Sequence, residues 1–351
     1  MNENRILVAM SGGVDSAVSA LLCARECKAA GVTMKLHCDG MESACCTDED
    51  IASARAVCER LGISHEVCDF SGRFREQVIL PFVEAYENGR TPNPCIECNR
   101  NLKFAALFEH AAENGFSHVA TGHYARITRD GSSRFLLRRA LDPEKDQSYV
   151  LYTLTQARLA KIRFPLGELC KSEVRELARR AGFSAADRPE SQDICFVKRE
   201  SYAEFIERFR GKQYPEGDFV SADGRVLGRH RGIIRYTVGQ RKGLGIALGA
   251  PAYVCAVNTA DNTVLLGEER DLYQKTLTAH RINLIAADRL DAPLRVQARV
   301  RYRQAAQPAT AWQVDEDTLR VEFDEPQRAI TQGQAVVLYD DDVVIGGGVI
   351  E

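Results

Sequence analysis

No stretch of this 351-residue chain approaches the roughly 20 consecutive apolar residues that a membrane span requires. Nor does an apolar run follow a basic N-terminal segment, so neither a secretory leader nor a membrane partner is expected, and a cytoplasmic location is. Excess charge of either sign is missing too. A net charge of −3 excludes a protein that is basic throughout, although it leaves room for local basic surfaces. Internal repeats and low-complexity tracts are absent. Only one Cys-x-x-Cys occurs, Cys95–Cys98, which argues against a four-cysteine zinc site. Twelve cysteines without a leader point to a reducing compartment, where thiols are free, metal-bound or catalytic. The first Gly-rich loop lacks the Gly-Lys-Ser/Thr ending of a Walker A loop and the Gly-x-Gly-x-x-Gly turn of dinucleotide folds.

The loop that does stand there is Ser11-Gly12-Gly13-Val14-Asp15-Ser16. It separates a short apolar strand ending at Met10 from a run over 17–30 that reads as a helix stopping at Gly31. Free backbone N–H groups at a helix start, with the positive end of the helix dipole, form an anion site. The glycines allow close approach to phosphate, and Ser11 and Ser16 add hydroxyl donors. An ordinary Gly-rich turn is the plain alternative; placement directly after the first strand favours a nucleotide.

Through about residue 195 the chain alternates strand-like and helix-like runs, the pattern of a parallel α/β sheet. Strands are expected over 32–37, 63–70 and 117–121, and helices over 48–61, 74–88 and 99–114. Thr47 is the expected cap of the first of these helices, and Asp130-Gly131 marks a hairpin within 126–138. From about Gly217, short β-branched runs and Asp-Gly or Asp-Asn turns replace the helices, giving two small barrels or sheets jointed near 270–280. The expected division is 1–198 (α/β), 199–275 (β-rich) and 276–351 (β-barrel).

In Thr91-Pro92-Asn93-Pro94-Cys95-Ile96-Glu97-Cys98 two prolines bar helix, so the sequence predicts a stiff loop with Cys98 directly before a helix. The dipole of that helix would lower the thiol pKa. A redox pair, half of a metal site and a catalytic thiol with a neighbour remain open for Cys95 and Cys98. Cys195, between Ile194 and Phe196, reads alone as a buried small apolar residue, as do the adjacent Cys45 and Cys46. His123, beside Gly122, falls at the strand end where nucleotides bind in such sheets. Arg299, Arg301 and Arg303 alternate, so a strand would present them as one basic stripe. Arg225, Arg229, Arg231, Arg235, Arg241 and Lys242 crowd a second region. Either group could be a solvated face or a phosphate contact.

Taken together, the Ser-Gly-Gly-Val-Asp-Ser loop, Thr-Pro-Asn-Pro-Cys-x-x-Cys-Asn, Thr121–Arg126, Lys145-Asp146-Gln147-Ser148-Tyr149, Ser191-Gln192-Asp193-Ile194-Cys195-Phe196, Thr237–Gly245 and Arg301–Gln304 occur in the order found in tRNA-specific 2-thiouridylases. The chain resembles that family over nearly its whole length. The resemblance implies a Rossmann-like domain of the adenine-nucleotide α-hydrolase type, followed by β-rich domains that end in a β-barrel. It implies ATP-dependent 2-thiolation of the wobble uridine of tRNAs for Lys, Glu and Gln. ATP, with magnesium, would sit on Ala9, Met10, Ser11, Gly12, Gly13, Val14, Asp15, Ser16, Met34 and Gly122. Cys98 would be the nucleophile and Cys195 the persulfide carrier, with a transient Cys98–Cys195 disulfide. Asn93, Pro94, Cys95, His123, Lys145, Asp146, Gln147, Arg301, Tyr302 and Gln334 would face the target base or the tRNA. The expected partners are tRNA and a persulfide-carrying sulfur donor protein, and the expected state is a monomer. Many relatives carry Asp where this chain has Cys95. With Cys98 and Cys195 it makes three thiols, a set that could hold an iron–sulfur cluster.

Overall fold

The computed structural model describes residues 5–36, 47–184, 194–197 and 200–351. Cys38, Cys45, Cys46 and the Ser191–Asp193 part of the Cys195 motif lie outside them.

Five parallel strands form the first sheet, in the order β3-β2-β1-β4-β7. They are β1 (Arg5–Ala9), β2 (Lys28–Lys35), β3 (His65–Asp69), β4 (His118–Ala120) and β7 (Ile162–Arg163). The central strand is apolar from Ile6 to Ala9, with Leu7 and Val8 fully buried, because helices cover both faces. One face packs α1 (Val14–Glu26), α2 (Asp48–Leu61) and α8 (Lys171–Arg180) around Val8, Val18 and Val174. The other packs a helix of three successive segments: α3 (Ser71–Phe74), a π turn (Arg75–Ile79) and α4 (Leu80–Glu87). Beside it runs a second segmented helix: α5 (Pro94–Cys98), a π turn (Asn99–Ala106) and α6 (Leu107–Glu113). The α/β fold expected from the alternation is present. Thr47 caps α2 as expected, accepting from the Asp50 N–H while the Asp50 carboxylate accepts from Thr47 N–H.

Two boundaries differ from the sequence reading. Helix α1 stops at Glu26, and Ala29-Ala30-Gly31 belong to β2, paired with β1. Alanines carry no strand signal of their own; pairing with an apolar neighbour decides their state. Gly31 is therefore no helix stop. It is a close approach, where an added Cβ would lie 2.5 Å from Cys58 Sγ. The second difference concerns the cysteine loop, which is helical from Pro94 and is described with the site.

The remaining chain is mostly β. A hairpin, β5 (Arg126–Arg129) and β6 (Phe135–Arg138), leads to the short α7 (Gln156–Leu159) and, after the sheet, to α9 (Tyr202–Arg210). Strands β8 (Gly217–Val220), β9 (Val226–His230), β10 (Tyr253–Asn258) and β11 (Thr263–Gly267) form a four-stranded sheet around Phe219 and Val264. Six more strands close into a barrel: β12 (Tyr273–Leu284), β13 (Leu294–Arg299), β14 (Gln307–Gln313), β15 (Leu319–Arg328), β16 (Ala335–Asp340) and β17 (Val343–Ile350). Closure comes from β12 pairing with both β15 and β17, and full closure removes the exposed edges. The β5–β6 hairpin attaches to this barrel through β6 and β17, although it lies early in sequence. The basic stripe is overturned. Strand β13 ends at Arg299, and Arg301 and Arg303 lie in the turn that follows.

Candidate active site

The Gly-rich loop leaves β1 at Ala9 and enters α1 at Val14. Gly12 sits at φ +76°, and a Cβ there would lie 2.5 Å from the Asp50 carbonyl oxygen, so only glycine passes. Ser16 Oγ locks the turn, accepting from Ser11 N–H at 3.2 Å and donating to the Gly13 carbonyl at 2.9 Å. Ser53 Oγ holds the Gly12 carbonyl from α2. Gly13, the N-cap, has no side chain to cap with, so the first-turn N–H groups keep their capacity for an anion. Met10 and Met34 are buried beneath, at the ends of β1 and β2. Gly122, after β4, closes the loop from the far side; a Cβ there would meet Asp15 and Ser16 backbone atoms at 3.0 and 3.1 Å.

Asp15 is engaged twice. Its Oδ1 accepts from the Tyr124 hydroxyl at 2.7 Å, and its two oxygens accept from Lys171 Nζ at 2.7 and 2.8 Å. Lys171 is 8% exposed and opens α8. The sequence reading missed it, yet a signal existed. A lysine at the start of a helix opposes the dipole, which calls for a carboxylate from elsewhere in the fold.

Asn93 caps the cysteine helix through Cys95 N–H, and Pro94 takes the first helical position, where a missing N–H costs nothing. Pro94 therefore starts a helix rather than barring one. Cys95 is exposed at its mouth and Cys98 is buried one turn in. Burial pushes the Cys98 thiol up to about 12; Lys103 opposes this, and the nearby Cys195 and Cys95 add to it. The dipole-lowered thiol read from the sequence is thus corrected: Cys98 lies inside the helix, and desolvation wins. Cys195 is half-buried, and its neighbour Phe196 sets its place by packing edge-on against Phe74 and Phe82. None of the three cysteines is in a disulfide.

Lys103 links the two halves of the site. Its charge acts on Cys95 and Cys98 and also on His123, which burial pushes well below the usual histidine value. His123 Nδ1 lies 2.7 Å from Thr121 Oγ1, and its ring faces Phe104 and Phe164. Through Gly122 and His123 the nucleotide loop and the thiols therefore border one region at the carboxyl ends of β1 and β4, where such sheets bind ligands.

The other expected contacts are placed as follows. Lys145 is half-buried in the loop after β6. Asp146 is buried; its Oδ1 accepts from the Ala140 and Ser148 N–H groups and its Oδ2 from Ser148 Oγ. Gln147 Oε1 accepts from Tyr124 N–H. Tyr302 donates to the Asp146 carbonyl at 3.4 Å. Gln334 donates to the Thr91 carbonyl at 2.7 Å, so the barrel grips the segment leading into the cysteine helix. Arg301 Nη2 reaches the Val238 and Ala329 carbonyls and Thr331 Oγ1, bridging the two β units. In the second basic region, Arg225, Arg229 and Arg235 pair with Asp223, Asp218 and Glu207, while Arg231, Arg241 and Lys242 are exposed. Arg231, Arg235 and Arg301 line a cavity of ≈ 530 Å³ beside the start of α9.

Residues 4–199 match the family profile described as tRNA methyl transferase HUP domain. Residues 203–268 match the tRNA methyl transferase PRC-barrel domain, and residues 274–350 the Aminomethyltransferase beta-barrel domain. The tRNA-specific 2-thiouridylase MnmA of Clostridioides difficile (strain 630) is 46% identical over 357 residues, covering 100% of this chain and 99% of that protein. The protein of that name from Acetivibrio thermocellus is 45% identical over 359 residues, with 100% of both chains covered. That from Carboxydothermus hydrogenoformans is 46% identical over 359 residues, covering 100% of this chain and 98% of that one.

Proposed function

This chain belongs to the tRNA-specific 2-thiouridylase family, and from that premise we propose that it thiolates carbon 2 of the wobble uridine in tRNAs for Lys, Glu and Gln at the expense of ATP. This reading is supported by the Gly-rich loop at the start of α1 with Gly122 packed against it, and by Lys103, whose charge acts on Cys95 and Cys98 and on His123 beside Gly122. The carbonyl carbon of uridine is a poor electrophile, and its oxygen is a poor leaving group. Attack of that oxygen on the α-phosphorus of ATP expels pyrophosphate and turns the oxygen into part of an AMP leaving group. The first-turn N–H groups of α1 would take the departing phosphates.

Sulfur then arrives as a persulfide on Cys195, delivered by a sulfur donor protein. The terminal sulfur attacks carbon 2. Cys98 thiolate attacks Cys195 Sγ, the sulfur–sulfur bond breaks toward the uridine, and AMP leaves. The electrons balance: two thiols become one disulfide as the transferred sulfur is reduced to thiocarbonyl. A thiol reductant must reopen the Cys98–Cys195 bond before the next turnover. His123, kept neutral by burial, would lie beside the base. The chain would act as a monomer.

Magnesium is expected with ATP, but Asp15 does not suit it as a direct ligand, because Lys171 already takes both of its carboxylate oxygens. Its part is to hold the loop. A second reading rests on Cys95, whose exposed thiol bears on Cys98. Cys95, Cys98 and Cys195 are the soft thiolate donors that would hold an iron–sulfur cluster, which would supply sulfide-binding chemistry. Iron and acid-labile sulfide assays on protein purified without oxygen, beside Cys95→Ser, separate the two readings. Pyrophosphate release on adding unmodified tRNA tests the whole proposal. ATP turnover that ignores tRNA, or normal thiouridine in cells lacking the protein, would overturn it.

A further inference from the structure

Away from the cysteine helix's active end, strand β3 and helix α6 bring three metal-ligating side chains to one point. Glu66 and Cys68 are two residues apart on β3 and so share a face. His110 comes from α6, on the helix that packs over this face. His110 Nε2 lies 2.7 Å from Glu66 Oε1 and 3.3 Å from Cys68 Sγ. All three ligand atoms lie within 4.8 Å of one another, and all three residues are half-buried. Among the described residues, no other His/Cys/Asp/Glu group of three or more meets this distance criterion.

Without metal, His110 Nε2 pairs with Glu66 at 2.7 Å and Cys68 Sγ is left as a second, weaker contact of the same nitrogen. One nitrogen faces both a carboxylate oxygen and a sulfur, and its single hydrogen cannot serve both well. If Nε2 carries no hydrogen, its lone pair confronts the Glu66 carboxylate. A cation in place of the hydrogen would engage all three atoms at once.

We propose that Glu66, Cys68 and His110 form a binding site for a borderline-soft divalent metal ion of the zinc class. The geometry suits such an ion. Zinc–sulfur and zinc–nitrogen bonds of about 2.3 and 2.05 Å at tetrahedral angles separate S and N by about 3.6 Å, and N and O by about 3.4 Å. Small outward shifts, about 0.3 Å for sulfur and about 0.7 Å for the carboxylate oxygen, reach those separations. Mixed thiolate, imidazole and carboxylate donors select zinc-class ions over calcium or magnesium. Phe70 lies edge-on to the His110 ring and limits its swing. Three protein ligands leave a fourth position for water. Burial and Glu66 raise the Cys68 thiol in the metal-free protein, so binding must displace its proton and strengthens as pH rises.

The site is separate from the catalytic thiols, because His110 stands twelve residues beyond Cys98 along the same helix, roughly 15–18 Å away by the helical rise. Metal here would pin edge strand β3 to the far end of the helix that carries Cys95 and Cys98.

The test titrates the full-length reduced protein with zinc chloride against a chromogenic chelator, in wild type, Cys68→Ser, Glu66→Gln, His110→Ala and a Cys98→Ser/Cys195→Ser double variant. The expected result is one equivalent bound with submicromolar affinity in wild type and in the double variant. Affinity should fall at least about tenfold in Cys68→Ser and His110→Ala, and less in Glu66→Gln. Cobalt should give a thiolate charge-transfer band that disappears in Cys68→Ser alone among the cysteine variants. Equal metal-free melting temperatures for wild type and Glu66→Gln keep the comparison clear of misfolding. Binding lost in the double variant but kept in Cys68→Ser would overturn the proposal, as would a wild type that binds no zinc below about 10 μM.

Discussion

Asp15 and Lys171 set the terms for any substitution in the nucleotide loop. The ammonium is buried and pairs with a carboxylate in the first turn of α1, so removing the acid takes the counter-charge from a buried ammonium. Asp15→Ala is therefore expected to abolish pyrophosphate release and also to cost about 1–3 kcal/mol of stability. The double variant with Lys171→Met should regain much of the stability and none of the activity. Urea unfolding and a pyrophosphate assay on the three proteins check this; an Asp15→Ala protein as stable and active as wild type would refute it. Cys98 offers a second test at this scale. Its thiol is pushed up to about 12, so thiolate is scarce at neutral pH. Alkylation of Cys98 by iodoacetamide should rise about tenfold per pH unit and keep rising past pH 10, as read by peptide mass spectrometry. A plateau below pH 9 would show a thiol less buried than described. Cys98→Ser and Cys195→Ser should each stop thiolation while leaving tRNA-dependent pyrophosphate release intact.

At the scale of elements, the helix from Pro94 to Glu113 does more than carry the cysteines. In an α-helix five residues advance about 500°, which would turn Lys103 roughly 140° away from Cys98. The π segment closes its turns on the fifth residue, as with Leu107 N–H on the Leu102 carbonyl, and brings Lys103 back toward the face of Cys98. Such turns concentrate at functional sites. Lys103→Met should move the Cys98 alkylation profile to higher pH, and Lys103→Arg should restore most of it. Equal profiles in wild type and Lys103→Met would mean that the charge is screened. The motif residues of this element were legible in sequence, because Asn-Pro followed by spaced cysteines is a local pattern. Its π geometry and the reach of Lys103 were not, since both depend on what the helix packs against.

Over the whole molecule, burial of thiols makes stability depend on alkaline pH. Cys23, Cys58 and Cys98 are held near 12, 11 and 12, above the value they take in an unfolded chain. The folded state therefore keeps protons that the unfolded state loses. Their contribution is fully present below about pH 8.5 and drains away as pH rises toward the folded values. Each thiol removes at most about 1.4 kcal/mol per pH unit, so the three together remove about 4 kcal/mol per unit near pH 10. Urea midpoints at pH 8 and pH 10 under reductant measure this, and an unchanged midpoint would contradict it. Arg301 belongs to this scale as well. It bridges the four-stranded sheet and the barrel through Val238, Ala329 and Thr331. Arg301→Ala should cost about 1–3 kcal/mol of stability. By contrast, Arg303→Ala, at an exposed turn position, should leave stability alone and lower the log–log salt slope of tRNA binding by about one unit. Salt slopes equal to wild type would remove Arg303 from the interface.

Local chemistry was enough for the sequence alone to determine the Gly-rich loop, the Thr47 cap, the hairpin at Asp130-Gly131 and the change from α/β to β architecture near Gly217. Each of these rests on a few adjacent residues whose backbone preferences agree. Tertiary structure alone decided that Ala29–Gly31 are strand, that the β5–β6 hairpin joins the distant barrel, and that Arg301 faces carbonyls rather than a basic stripe. It also decided that Lys171 reaches Asp15 and that Cys98 is a buried thiol inside a helix rather than an activated one before it. These outcomes depend on which surfaces exclude water from which groups, and that is set only when segments far apart in the chain have packed together.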